Sequence, residues 1–237
     1  MARLARLCIA EHLHLVIQRS RGDEPVLASA GDNDAYLACL CQAAVAANVA
    51  IHAFALTPTQ VRLLATPSDD SGLGAMLQSA GRSFVASYNR RHGRRGPLWD
   101  GRFHATVVDA EPHFIECMRF VETAPVQMRL VERAELWPWS SAAHHSGRKV
   151  SAGLAEHRLL WTLGNTPFER EMAYKRLLEL PLGDARASEI ESAALRGWAI
   201  GTTRFVESIA ALVNRRLLPS RRGRPSMGAQ SDQEERP

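Results

Sequence analysis

Residues 50–66 constrain this chain more than any other stretch. An apolar run at 50–56 meets an alternating run at 60–66 across the short link Thr57-Pro58-Thr59. In the second run Val61, Leu63 and Ala65 point one way, and Gln60 and Arg62 point the other. Strands joined by so short a turn lie antiparallel, as a hairpin. A second constraint is the apolar segment ending Cys117-Met-Arg-Phe-Val-Glu-Thr-Ala-Pro125. It reads as a helix stopped by Pro125, with Phe120 and Ala124 one turn apart on one face.

The remaining elements fall into place around these two. His12 to Gln18 alternates at its start and is bounded by polar residues, so it reads as the first strand. His12 and His14 share one face of it and are read as solvated or hydrogen-bonded rather than as a metal pair. A helix is expected over 32–48, capped by Asp32 or Asn33, with Tyr36, Leu37, Leu40, Ala44 and Val45 as its apolar stripe. A second helix over 71–92 has Leu73, Met76, Leu77, Ala80, Phe84 and Tyr88 at helical spacing. A short strand at 106–109 precedes the helix that ends near Ala124, begun at about His113. The order β-α-β-β-α-β-α predicts an α+β fold, a ferredoxin-like antiparallel sheet with packed helices.

The chain then turns helical. Thr166-Pro-Phe-Glu169 is a capping box with proline at the first helical position, which predicts a helix over 167–180. Ser188 with Glu191 is read as the start of another, with Gly197 placed to stop it. A third is expected over 203–216, with Phe205, Ile209, Leu212 and Val213 on one stripe. These helices either form a helix-turn-helix or pack onto the sheet. The expected division is a sheet domain at 1–148, a helical extension at 149–218, and a basic segment with a disordered tail at 219–237.

Composition narrows the partners. The 237 residues carry a net charge of +4 and a pI of about 9.2, and the only lysines are Lys149 and Lys175. Arginine makes the better forked contact to phosphate. Cys8, Cys39, Cys41 and Cys117 form no C-x-x-C pair and read as reduced thiols. No signal peptide and no membrane span are expected, so the location is taken as cytoplasmic.

Several motifs together resemble the single-tyrosine HUH transposases, in the branch associated with repetitive extragenic palindromes (REP-associated tyrosine transposases). The segment His14-Leu-Val-Ile-Gln-Arg-Ser20 is similar to the family's opening strand. Tyr88-Asn-Arg-Arg-His-Gly-Arg94, Leu98-Trp-Asp-Gly-Arg-Phe103 and Leu136-Trp-Pro-Trp-Ser-Ser141 resemble three further family segments. In that family the third strand carries two metal-binding histidines. A later helix carries the tyrosine that attacks DNA, with an asparagine four residues on. The resemblance puts Gln60, Arg62, Phe120 and Ala124 at those four positions.

Those substitutions imply the frame without its chemistry. Phenylalanine cannot form a phosphotyrosine, a glutamine amide is a poor stand-in for imidazole, and arginine has no lone pair to give a metal. No cofactor is expected; Mg or Mn would matter only to an enzyme using other residues, with Tyr36, Tyr88 or Tyr174 as the stand-in nucleophile. A protein-interaction module without DNA binding is the third reading.

The expected partner is DNA, single-stranded or hairpin, with a homodimer possible in the family. The segment 90–102 holds Arg90, Arg91, Arg94, Arg95, Arg102 and Trp99, with Arg82 on the helix leading into it. Such a glycine-containing basic loop suits phosphate contact and base stacking. Arg62 could neutralise a phosphate from within the old metal pocket. Arg221, Arg222 and Arg224, in Arg221-Arg-Gly-Arg-Pro225, resemble an AT-hook for the A·T minor groove. The two tryptophans at 137 and 139 are read as sealing the edge of the core.

Overall fold

The computed structural model describes residues 7–180, 182–214 and 216–218. Four strands, β1 (Leu13–Arg19), β2 (Val49–Thr57), β3 (Gln60–Pro67) and β4 (His104–Val108), form one sheet in the order β2-β3-β1-β4, with every neighbouring pair antiparallel. Helices α1 (Ala30–Ala46) and α2 (Gly72–Arg91) cover one face. Helix α3 (Ala110–Glu122) covers the other, followed directly by the short α4 (Ala124–Gln127). This is the ferredoxin-like arrangement.

The pleat sorts the two cores. Val61, Leu63 and Ala65 join Tyr36, Leu40 and Phe84 under α1 and α2. Leu15, Ile17 and Leu64 join Phe114, Phe120 and Val121 under α3. All six residues expected on the α2 stripe are buried. On α1 the stripe is narrower than expected, because Val45 sits 77% exposed while Tyr36 and Leu40 are fully covered.

The C-terminal region packs onto the sheet. Helices α6 (Pro167–Glu179) and α7 (Asp184–Arg196) place Tyr174, Ile190 and Ala194 in the α3 core. Helix α8 (Thr203–Val213) closes a smaller core with Leu7, Ile9 and Val107. Its buried stripe is Val206 and Ile209; Leu212 faces solvent. Before these helices a short turn, α5 (Ala142–His145), follows the tryptophan segment.

Several boundaries differ from expectation for local reasons. Ser29 caps α1, accepting from Asp32 N at 3.1 Å; Asp32 and Asn33 lie inside the first turn. Helix α3 starts at Ala110, since the Pro112 it takes into its first turn has no amide hydrogen to lose there. Pro125 does not end the helical path; it falls in the first turn of α4. Ser188 is interior to α7, which begins four residues earlier with the acidic Asp184 in its first turn. Thr166 and Glu169 form the expected capping box, and Gly197 ends α7 in the left-handed region at φ 70°.

Both sheet margins carry extra backbone contacts. Leu56 N donates to Trp139 O at 2.8 Å and Ser141 N to Phe54 O at 2.9 Å, along β2. Trp137 Nε1 also donates to Leu56 O at 2.7 Å. Along β4, Ile200 N donates to Val107 O at 3.0 Å, and Asp109 N to Ile200 O at 2.7 Å.

Candidate nucleic-acid interface

The strand β3 and the helices α3 and α4 bring Gln60, Arg62, Phe120 and Ala124 together, all buried on the same face of the sheet. The Arg62 guanidinium lies 4.2 Å from the centre of the Phe120 ring. It donates to Gln60 Oε1 at 2.7 Å, to Phe120 O at 3.1 Å and to Gln127 Oε1 at 3.0 Å. Glu191 reaches in from α7, 3.7 Å from Arg62 and 2.7 Å from Arg19. Burial pushes the Arg62 guanidinium down to about 10; Glu191 opposes that shift and Arg19 adds to it. The group therefore stays cationic at neutral pH.

This donor set does not fit a divalent cation. A fixed positive charge sits among the positions that would hold it, and the one amide oxygen of Gln60 is already an acceptor for that charge. Among the described residues no group of three or more His, Cys, Asp and Glu side chains is placed to hold a metal ion. His14 is a satisfied core histidine, its Nε2 accepting from Ile9 N at 3.2 Å and its Nδ1 facing His12 O at 2.8 Å. Burial lowers it to about 4.

Arg62 is thus not presented to a phosphate: it is only 6% exposed and its donors already meet acceptors of this chain. The sequence reading missed Gln127 and Glu191. Glu191 carries only the signal of a helix start, and nothing local in the sequence ties it to β3.

The three tyrosines are also engaged. Tyr36 donates to Gln18 Oε1 at 3.0 Å on the opposite face of the sheet, and burial raises its phenol well above the ordinary range. Tyr88 packs against His92, 4.1 Å between ring centres with the rings tilted by 30°. Tyr174 donates to Glu122 Oε2 at 2.7 Å, in a buried cluster with Ser141 and His145; burial and the neighbouring carboxylate raise its phenol strongly.

The basic segment divides into paired and unpaired arginines. Arg91 meets the buried Asp32 at 3.0 Å, beside His92 at 3.0 Å. Arg94 meets Glu24 at 2.7 Å. Arg82, Arg90, Arg95 and Arg102 are exposed and form no ion pair among the described residues. Arg21, absent from the sequence reading, joins them at the rim of the same loop. The loop is held to the end of β1: Asp100 N donates to Arg19 O and Arg21 N to Leu98 O, each at 2.9 Å. Gly96 and Gly101 turn it at φ 95° and 67°, where a side chain would be strained.

Trp99 departs from the expectation of base stacking. It is 8% exposed, with its ring 5.4 Å from Tyr36 and 6.2 Å from Phe84, so it is part of the core. Its indole Nε1 is buried without a hydrogen-bond partner among the described residues. Arg221, Arg222 and Arg224 lie outside the described residues.

No protein-family profile matches the chain. No curated protein sequence matches it either. Among solved structures it is similar to a REP-associated tyrosine transposase bound to a REP hairpin, at 15% identity and a TM-score of 0.51, over 67% of this chain and 93% of that one. The chain shares the fold of that protein, a four-stranded antiparallel sheet with packed helices. A Deinococcus radiodurans protein described as a candidate transposase aligns over 48% of this chain and 93% of its own, at 18% identity and a TM-score of 0.36. Among the described residues no helix is long and apolar enough to cross a membrane.

Proposed function

We propose that this protein binds DNA, single-stranded or hairpin, on a transposase-like scaffold and does not cut it by the metal-and-tyrosine route. The observation that carries this reading is the Arg62 network. A buried guanidinium bonded to Gln60, Phe120 and Gln127 stands where two metal ligands and a nucleophile would be needed. Phe120 offers no oxygen for a phosphodiester, so strand cleavage at this place has no attacking group. Binding is left to Arg82, Arg90, Arg95 and Arg102, which are exposed and form no ion pair among the described residues. The similar structure holding a hairpin supports the choice of ligand. Binding on this reading needs neither Mg nor Mn.

The test pairs a gel-shift series with a nicking assay, using palindromic single strands with and without Mn²⁺. Four phosphate contacts predict a salt slope near −2.8 for a single strand, a loss of roughly fifty-fold between 50 and 200 mM salt. Absent or salt-independent binding would overturn the DNA reading in favour of a protein-interaction role. A covalent protein–DNA product, or nicking by the wild type equal to that of a Gln60→His, Arg62→His, Phe120→Tyr, Ala124→Asn variant, would overturn the loss of cleavage.

A further inference from the structure

Helices α5 and α6 and the segment 154–163 surround a cavity of about 380 Å³, a size at which small-molecule sites occur. Neither the Arg62 network nor the basic loop lines it.

Its inner wall belongs to the buried cluster around Glu122. That carboxylate accepts from Ser141 Oγ, from Tyr174 Oη at 2.7 Å and from His145 Nδ1 at 2.6 Å. A ring nitrogen facing a carboxylate carries the proton, so the other nitrogen of a neutral His145 is an acceptor. The His145 side chain is only 6% exposed, and it lines the cavity. Its Nε2 forms no hydrogen bond among the described residues and is not one of the unpartnered atoms sealed from solvent. The cavity therefore reaches that nitrogen.

A second acceptor stands on the same wall. Glu171 of α6 lines the cavity and forms no hydrogen bond or ion pair among the described residues. A Cβ at Gly147 would strike its carboxylate, so that group lies over the turn that follows α5. The other charges are accounted for. Arg170 faces Glu156 at 3.5 Å and lies over the Trp161 ring, 4.3 Å from its centre. Burial lowers the His144 imidazole and His145 adds to that, so His144 brings little positive charge at neutral pH.

Two unmet acceptors and one unbalanced negative charge thus sit beside the apolar side chains of Leu154, Leu160, Leu163 and Pro167. A metal ion is not the match, because among the described residues no three His, Cys, Asp and Glu side chains are placed to hold one. A cation with several N–H donors and an apolar body is.

We propose that this cavity binds a small organic ammonium. The ammonium donates to His145 Nε2 and to Glu171, and its alkyl body lies against the leucines and Pro167. The site stands apart from the DNA-binding reading and does not depend on it.

The test is a calorimetric titration of the full chain with three probes of similar shape: isopentylamine, isovaleramide and isovalerate. The amine should bind one-to-one with a Kd of about 1 mM or tighter. The neutral amide and the carboxylate should bind at least about ten-fold more weakly, since each lacks the positive charge. In a long-range proton–nitrogen NMR spectrum the amine should shift His145 Nε2 more than any other histidine nitrogen. Glu171→Gln keeps the shape and removes the charge; it should weaken the amine about ten-fold, and the fold should hold because that carboxylate bonds to nothing in the chain. No binding of the amine, equal affinity for the three probes, or preference for the carboxylate would overturn the site. So would an unmoved His145 Nε2, or full amine affinity in Glu171→Gln. DNA affinity enters none of these readouts.

Discussion

Arginine occupies both faces of this sheet and does opposite work on them. On the α3 face Arg62 is 6% exposed, and its donors meet Gln60, the Phe120 carbonyl and Gln127, with Glu191 nearby. On the α2 face Arg82, Arg95 and Arg102 stand in solvent around a groove and loop and form no ion pair among the described residues. The residue type is the same; the number of acceptors within reach differs. A buried guanidinium must be matched by its own chain, because leaving it unmatched in low dielectric is costly. A solvated one can stay unmatched until a phosphate arrives.

The largest test of this contrast is Arg62→Ala. It leaves the buried Gln60 amide and the buried Phe120 carbonyl without their donor, and frees the exposed Gln127 amide, and should lower unfolding stability by about 3 kcal/mol in urea titrations. DNA affinity should stay within two-fold of wild type, roughly; a large loss of affinity in a folded variant would break the comparison. Next comes the combined Arg82→Ala, Arg90→Ala, Arg95→Ala, Arg102→Ala protein. Its stability should hold, while affinity falls about a hundred-fold, or about 2.8 kcal/mol, and the salt slope flattens by roughly 2.8.

Gly81→Ala should raise stability by up to about 1 kcal/mol, seen as a higher urea midpoint, because the helix gains a better former. A fall in stability would mean that Trp99 Nε1, the nearest atom to the new methyl at 4.0 Å, does not tolerate it. The smallest effect sharpens the contrast within one loop. Arg91→Ala and Arg94→Ala should each weaken binding less than Arg95→Ala, by under about three-fold, since each is already held by Asp32 or Glu24. Equal losses at all three would show that these ion pairs open on contact with DNA.

Much of the frame was legible because it depends on local periodicity. The alternation of Val61, Leu63 and Ala65 with Gln60 and Arg62 gave the correct faces of β3, and the α2 stripe was correct at all six positions. The capping box at Thr166 was readable because its two partners lie three residues apart. The site was less legible because its contacts are distant in sequence. Arg19 and Glu191 are separated by 172 residues, and Arg62 and Gln127 by 65. Trp99 looked like a stacking platform by its basic neighbours. Its burial follows from the way Leu98 and Asp100 tie the loop to β1, a contact that composition does not reveal.

The two sheet margins have a consequence for assembly. An open strand edge offers unpaired amides and carbonyls to any extended chain that drifts past, its own twin included. Here the stretch from Trp139 to Ser141 takes up Phe54 and Leu56 on one rim, and Ile200 takes up Val107 on the other. Two copies joined at those positions could not continue a single ribbon across both molecules. A dimer that extended the sheet at either rim would first have to displace those segments.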